Sequence, residues 1–301
     1  MNKSYTIEEC KRRIAEHFPQ VPLHELVPIE TGWDSFVVEV NGEYIFRFPL
    51  RQDVIPYLEK EMRLLPELRE TLSLPVPNFE FIAPACLQAD LPFVGYRKIP
   101  GEELTPRLCA SPSIATQLGR FLTELHTFPL DKAIQLILPP GDTVQWRENY
   151  LGFYTHIHEH VFPLLDEPAR EVWSTRWNNY LNDESNFQFR PTLIHCDLGS
   201  DHILCRPEEQ VVTGIIDWGD ASIGDPVFDF VGLFWIGGRD FVTGILPYYQ
   251  GSFDDNAWHR IRFYNDIIPF HQILYGIMYD LEDHLQQGLT ALHQNLNEWN
   301  R

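Results

Sequence analysis

The residues best suited to chemistry lie in two neighbouring stretches. Asp197 and His202 lie in LIHCDLGSDHILC (193–205), and Asp217 lies in GIIDWGDASIGDPVFDF (214–230). Short runs typical of β-strands precede Asp217 and follow His202, and a polar turn joins these runs. Paired as a hairpin, the two runs would bring Asp197, His202 and Asp217 to neighbouring positions.

This set of side chains is what phosphoryl transfer requires. A carboxylate must orient the acceptor hydroxyl and take its proton, and Asp197 fits that role. Two further ligands must hold Mg²⁺ against the phosphates, and His202 with Asp217 fit those roles. Because imidazole suits softer ions than Mg²⁺, we expect Mn²⁺ to serve as well.

The pattern HxDxxxxH followed by IIDWGD resembles the catalytic and metal loops of the aminoglycoside phosphotransferase superfamily, which has a protein-kinase-like fold. A His at position 202, where Asn is usual, is similar to aminoglycoside 2''-phosphotransferases and to macrolide phosphotransferases. The resemblance runs from about Thr31 to the C-terminus. It implies an α+β fold of two lobes: a small antiparallel β lobe, and a large helical lobe that contains a β-hairpin.

The order of the elements predicts the same architecture. Pro100-Gly101 separates a nucleotide-binding lobe (1–99) from a catalytic and substrate lobe (100–301), with a hinge at about 96–101 and a helical insert at about 139–190. Periodicity predicts helices at 5–18, 58–68 and 113–128, and strands at 36–40, 44–48, 79–82, 93–99, 192–194, 203–205 and 212–216.

The resemblance assigns the nucleotide, ATP or GTP, to the cleft between the lobes. Arg47, in the strand EYIFRFP, matches the basic residue that pairs with the phosphates. Glu61, in the following helix, matches its carboxylate partner, and Glu59 is the alternative.

The resemblance places the phosphate-covering loop at ETGWDSF (30–36), although GxGxxG is absent. Gly32 and the hydroxyl of Ser35 would let backbone N–H groups approach the phosphates. The base would bind the hinge backbone at Arg97 and Ile99.

Two further roles implied by the resemblance belong to the scaffold. Asp229 matches a buried carboxylate that caps the backbone of the catalytic loop, with Asp225 as the alternative. His195 is expected to orient the same loop through a hydrogen bond.

The acceptor is expected between Asp197 and the C-terminal helices. Aminoglycosides are polycations that need carboxylates and aromatic rings. The apolar run 234–236 favours a less charged ligand such as a macrolide, whereas the net charge and the 193–205 loop favour an aminoglycoside. We rank the aminoglycoside first, and a macrolide or another hydroxylated metabolite second. The candidate acceptor residues are Asp220, Trp235, Tyr279, Asp280, Asp283 and His284.

Composition limits the partners. The chain of 301 residues carries 23 basic and 43 acidic side chains, a net charge of −20, which disfavours nucleic acid and anionic membranes. The five cysteines show no CxxC spacing and no signal-like segment precedes them. We therefore expect a cytoplasmic monomer that acts on a small molecule.

Three alternatives remain open. His156 and His160 lie four residues apart in HIHEH, as a zinc pair would, but Glu159 does not complete HExxH. A serine or cysteine hydrolase is the second alternative. The chain has no GxSxG motif, and Cys196 is next to His195 in sequence, which does not place a base correctly for a cysteine nucleophile. A pseudokinase that binds nucleotide without turnover is the third alternative. All the catalytic-acid and metal positions are filled in this sequence, which a pseudokinase would not need.

Overall fold

The computed structural model describes residues 4–29, 34–85, 91–136 and 141–299, with the backbone alone at 296–299. The first of its sheets has five antiparallel strands in the order β1-β2-β3-β5-β4. These strands are β1 (Leu26–Ile29), β2 (Ser35–Val40), β3 (Tyr44–Pro49), β4 (Phe79–Ala83) and β5 (Phe93–Arg97). The small antiparallel lobe predicted from the sequence is confirmed.

Helix α1 (Ile7–His17) packs against this sheet. Thr6 caps its N-terminus, since the Thr6 hydroxyl accepts a hydrogen bond from the Glu9 N–H at 3.2 Å. Arg13 is 1 % exposed, with its guanidinium 4.8 Å from the centre of the Phe93 ring and donating to the Leu91 carbonyl at 2.6 Å. Ring faces and a carbonyl thus stabilise a charge that burial would otherwise penalise.

The larger part of the chain is mainly helical. It contains two small sheets, in the orders β6-β8-β9 and β10-β7. The strands are β6 (Glu102–Glu103), β7 (Thr192–Ile194), β8 (Ile203–Arg206), β9 (Val211–Ile215) and β10 (Ser222–Gly224). The helices that follow α1 along the chain are α2 (Ile55–Thr71), α3 (Pro106–Cys109), α4 (Pro112–His126), α5 (Leu130–Leu136), α6 (Thr143–His156), α7 (Glu167–Asn182), α8 (Val231–Ile245), α9 (Ala257–Tyr279) and α10 (Glu282–Trp299).

The predicted hairpin forms from β8 and β9, which pair antiparallel with Ile203 opposite Ile215. Strand β6, just after the hinge, adds to it through Glu102 and Cys205. The hinge is therefore fastened to the hairpin that carries the candidate metal loop.

Helix α2 belongs by sequence to the first 99 residues, yet it packs on the large lobe. Leu64, Leu65 and Leu68 are at most 1 % exposed and join the core cluster that contains Phe121 and Leu122 of α4. This burial holds Glu61, on the same helix, at a fixed distance from the large lobe.

A buried ion pair ties α9 to the segment before α8. Arg260 Nε donates to Asp225 Oδ2 at 2.6 Å, and its Nη2 donates to Asp254 Oδ2 at 2.7 Å. The Tyr264 hydroxyl donates to the same Asp225 oxygen at 2.9 Å. Arg260 and Asp225 are both 0 % exposed. No described helix is long and apolar enough to cross a membrane.

We expect Arg260→Met to lower the free energy of unfolding by about 3–5 kcal/mol, because it leaves the Asp225 carboxylate buried without its cation. Chemical denaturation followed by tryptophan fluorescence measures this. The control is Arg12→Met, which breaks an exposed pair with Glu16 and should cost less than about 1 kcal/mol. Equal losses for the two variants would contradict the role given to Arg260.

Candidate active site

The loop that carries Asp197 is fixed from behind by one carboxylate. The backbone N–H groups of His195 and Cys196 donate to the two oxygens of Asp229, each at 2.9 Å, and His126 Nε2 lies 3.1 Å from the same carboxylate. Asp229 therefore occupies the capping position, while Asp225 is engaged with Arg260. Cys196 has φ of +69°, a left-handed conformation that its neighbours must enforce.

His195 lies beneath the loop and is 0 % exposed. Burial lowers its pKa to about 4, so the ring is neutral near pH 7. Its Nε2–H donates to the Ile216 carbonyl at 3.0 Å, and its Nδ1 accepts the backbone N–H of Asp197 at 3.3 Å. These contacts join the Asp197 loop to the strand end before Asp217.

Asp197 presents its carboxylate to the cleft, with 53 % of the side chain exposed. The cleft walls remove part of its hydration and raise its pKa to about 6; His202 opposes that rise, and the carboxylates of Asp220 and Asp217 add to it. A carboxylate with a raised pKa is a stronger base, as proton abstraction from a hydroxyl requires.

His202 and Asp217 offer a donor set that fits a divalent cation. His202 Nδ1 donates to the Asp197 carbonyl at 2.7 Å, which leaves Nε2 with its lone pair free for a metal. Nε2 lies 3.7 Å from Asp217 Oδ2 and 3.6 Å from Asp201 Oδ2. Asp201, to which the motif pattern did not point, thus places a further carboxylate beside His202.

The electrostatics favour an ionised Asp217. Burial alone would raise its pKa. The pKa nevertheless lies below the usual value, because the Arg47 guanidinium, His202, His195 and the Gly219 N–H stabilise the ionised carboxylate. Asp217 has φ of +62°, which turns its side chain out of the strand direction and toward Arg47.

Arg47 links the small lobe to the candidate metal loop. Its Nη1 donates to Glu61 Oε2 at 2.8 Å, and its Nη2 donates to Asp217 Oδ1 at 3.3 Å. Glu61 is 0 % exposed, and burial raises its pKa to about 7 although Arg47 opposes the rise. Glu59, the alternative partner, lies on the exposed side of α2.

We expect Arg47→Met to weaken nucleotide binding by about 10- to 100-fold, because one charge-assisted hydrogen bond is worth about 1.5–3 kcal/mol. Titration with a non-hydrolysable nucleotide measures the change. Arg47→Lys should retain most of the affinity. An unchanged dissociation constant in Arg47→Met would remove this residue from the nucleotide site.

The hinge runs from β5 to β6. The Arg97 side chain leaves the cleft, pairing with Glu43 and stacking 5.1 Å from the Tyr44 ring. The Ile99 side chain packs against Gly214, since a Cβ added at Gly214 would lie 2.7 Å from Ile99 Cγ2. At the opposite side of the cleft, Ser35 begins β2, opposite Pro49 and 7 % exposed. Gly32 lies outside the described residues.

The comparison with known families is decisive for the class of protein. The model of the phosphotransferase enzyme family known as APH matches residues 25–264. The chain belongs to this family. It is accordingly a phosphotransferase that acts on hydroxyl groups, as predicted.

Solved structures similar to this phosphotransferase confirm the predicted fold. The GDP and kanamycin complex of aminoglycoside 2''-phosphotransferase IIIa is 28% identical, with a TM-score of 0.88 over 96% of this chain and 98% of that one. A type I macrolide 2'-phosphotransferase, 21% identical, has a TM-score of 0.80 over 96% of this chain and 98% of that one, and shows the fold alone. The viomycin phosphotransferase of Streptomyces vinaceus is 25% identical over 66% of this chain and 69% of its own length.

The lobes of this phosphotransferase also meet away from the hinge. The Arg51 guanidinium lies 4.4 Å from the centre of the Tyr279 ring and donates to Asp34 at 2.5 Å, and the Tyr279 hydroxyl donates to Asp53 at 3.3 Å. Tyr279 is an acceptor candidate from the sequence, but in the structure its ring stacks on Arg51. Arg51 was missed because only the fold brings it to α9.

Asp220 lies in the same region. Loss of hydration and the neighbouring carboxylates of Asp220, Asp34 and Asp53 raise the pKa of Tyr57, which is 45 % exposed. We call Asp34, Asp53, Tyr57, Asp220 and Tyr279 the acidic mouth. Carboxylates and exposed aromatic surface from both lobes meet there.

The remaining acceptor candidates lie on α8 and around the start of α10. Trp235 is 63 % exposed and lies one turn after Gly232. A Cβ added at Gly232 would come within 2.2 Å of the Leu198 carbonyl oxygen, so α8 packs closely against the Asp197 loop. Asp280 caps α9 in a left-handed conformation, with φ of +56°. Asp283 is exposed in the first turn of α10, and the His284 ring lies 5.4 Å from that of Tyr275.

Proposed function

We propose that this phosphotransferase transfers the γ-phosphate of ATP or GTP to a hydroxyl group of an aminoglycoside. The acidic mouth carries this proposal. Asp220 follows Gly219, and a Cβ added at Gly219 would lie 3.7 Å from Asp217 Oδ1 and 3.8 Å from Tyr57 Cβ, so the mouth adjoins the loop that carries Asp217. Arg51 already pairs with Asp34 and Asp53, so the carboxylate that the mouth offers to an ammonium group of a polycation is chiefly Asp220, near the Tyr57 ring. The 28% identity to an enzyme solved with GDP and kanamycin supports the same assignment.

In this proposal each residue has a defined task. Residues 1–99 supply most of the nucleotide site, and 100–301 supply the acceptor site together with Asp34, Asp53 and Tyr57 of the acidic mouth. Arg47, held by Glu61, binds phosphate oxygens, and the hinge backbone at Arg97 and Ile99 binds the base. Ser35 is assigned to the phosphates, as is Gly32, which lies outside the described residues.

The carboxylate of Asp197 orients the acceptor hydroxyl and takes its proton as the new bond forms. His202 and Asp217 would hold Mg²⁺, or Mn²⁺, with Asp201 close by. When bound, the cation neutralises charge on the phosphates. His195 and Asp229 keep the Asp197 loop in place through the contacts described above.

A macrolide is the second candidate, and Trp235 favours it. A large ring 63 % exposed, on the helix that packs against the Asp197 loop, suits an apolar ligand. The two candidates differ in their dependence on charge, and this difference allows a test.

The test is nucleotide consumption with kanamycin, gentamicin and erythromycin, repeated at raised salt. With an aminoglycoside we expect turnover whose KM rises with salt, because salt screens the carboxylates of the acidic mouth. Turnover with erythromycin alone would replace the proposal by its alternative. Absence of turnover with all three would reject both acceptors.

A further inference from the structure

A second group of metal-binding side chains lies at the end of α6, on different elements from the cleft residues. His156 is the last residue of α6, and Glu159 and His160 belong to the π-helical turn Ile157–Val161. One ligand atom of each residue lies within 4.8 Å of the other two. In the described parts of the chain, no other three His, Cys, Asp or Glu side chains approach so closely.

The three side chains can converge on one ion without moving the backbone. The two imidazole rings are nearly parallel, 17° apart, with centres separated by 6.0 Å. His160 Nε2 lies 3.9 Å from Glu159 Oε2. The side chains are exposed and free to rotate, whereas Ile157 and Val161 are 0 % exposed and anchor the turn in the core. Rotation about the side-chain bonds brings such donors to the metal–ligand distance of about 2.0–2.2 Å.

We propose that His156, Glu159 and His160 bind a divalent transition-metal ion of the Zn²⁺ or Cu²⁺ type. Imidazole nitrogens suit these ions, and a carboxylate completes a three-ligand set that leaves a position for water. Mg²⁺ and Ca²⁺ prefer sets made of oxygen alone, so a set with two imidazoles favours a transition-metal ion over either of them. The net charge of −20 raises the concentration of cations near the surface.

His158 provides a matched control within the same turn. Its ring lies 5.4 Å from that of Phe162 and 6.5 Å from that of Tyr154, and it is not part of the three-residue group. His158→Ala removes one exposed imidazole from the same segment without touching the proposed ligands.

The experiment is a calorimetric titration of the full chain with Zn²⁺, and separately with Cu²⁺, in excess Mg²⁺ and a non-coordinating buffer. We expect His156→Ala and His160→Ala each to weaken the binding of one ion by roughly 10-fold or more, since even the loss of an outer-shell partner costs about 10–100-fold. Glu159→Gln should weaken it less. His158→Ala should bind as the wild type does.

Electron paramagnetic resonance of the Cu²⁺ form gives an independent readout. Two nitrogen ligands are expected in the wild type and one in His156→Ala. These side chains are exposed and lie on different elements from the cleft residues, so each variant should keep the wild-type circular dichroism spectrum and phosphotransfer activity. Both measurements check that the variants are folded. Identical titrations for wild type, His156→Ala and His160→Ala would overturn the proposal, as would an equal loss in His158→Ala.

Discussion

Replacing Asp197 with alanine is expected to lower kcat by about 10²–10⁴, the contribution typical of one general base. The KM for nucleotide should change little, because Asp197 acts on the acceptor hydroxyl in the transition state rather than on the bound nucleotide. Steady-state kinetics with each substrate varied in turn separates the two effects.

The matched control for this variant is Glu208→Ala, which removes an exposed carboxylate from the turn between β8 and β9. It should leave kcat and both KM values unchanged. A near-wild-type kcat in Asp197→Ala would exclude this residue as the base. A large rise in nucleotide KM with kcat preserved would move it to the nucleotide site.

Asp217→Asn is expected to lower kcat/KM by about 10²–10³, since charge stabilisation by a bound cation is worth several kcal/mol. The substitution keeps an oxygen donor but removes the negative charge that faces Arg47 at 3.3 Å and that would hold the cation. The concentration of Mg²⁺ needed for half-maximal rate should rise. Wild-type dependence on Mg²⁺ in this variant would contradict the assignment.

His202→Asn separates the metal role from a purely structural one. Its neighbouring carboxylates raise the pKa of His202 even though burial opposes this, so a proton competes with the cation for Nε2. In the wild type, the Mg²⁺ requirement should increase as pH falls through the histidine range. Asparagine does not titrate, so the variant should stay active and lose this pH dependence. Retention of the dependence would assign it to another group.

The motifs at 193–230 predicted the hairpin and the grouping of Asp197, His202 and Asp217 because these residues are close along the chain. Contacts between distant segments could not be predicted in the same way. Arg51 meets Tyr279 across 228 positions of sequence only because α9 ends beside the small lobe. Strand β6 consists of two glutamates, which are poor strand formers, and pairs only because the hinge passes β8.

Two other elements show where local patterns mislead. Strand β1 contains Pro28, which argues against a strand, yet β1 is an edge strand, where a missing N–H is tolerated. Helix α2 follows β3 and is expected to pack on its own lobe, but its leucines are buried in the larger core. Periodicity gives the apolar face of a helix and not the surface that covers it.

Transfer of labelled γ-phosphate from GTP or ATP to kanamycin tests the central claim most directly. With Mg²⁺ present, the wild type should place the label on a hydroxyl of the antibiotic, and Asp197→Ala should do so about 10²-fold more slowly or worse. Label found on erythromycin but not on kanamycin, or released only as free phosphate with both antibiotics present, would contradict the account.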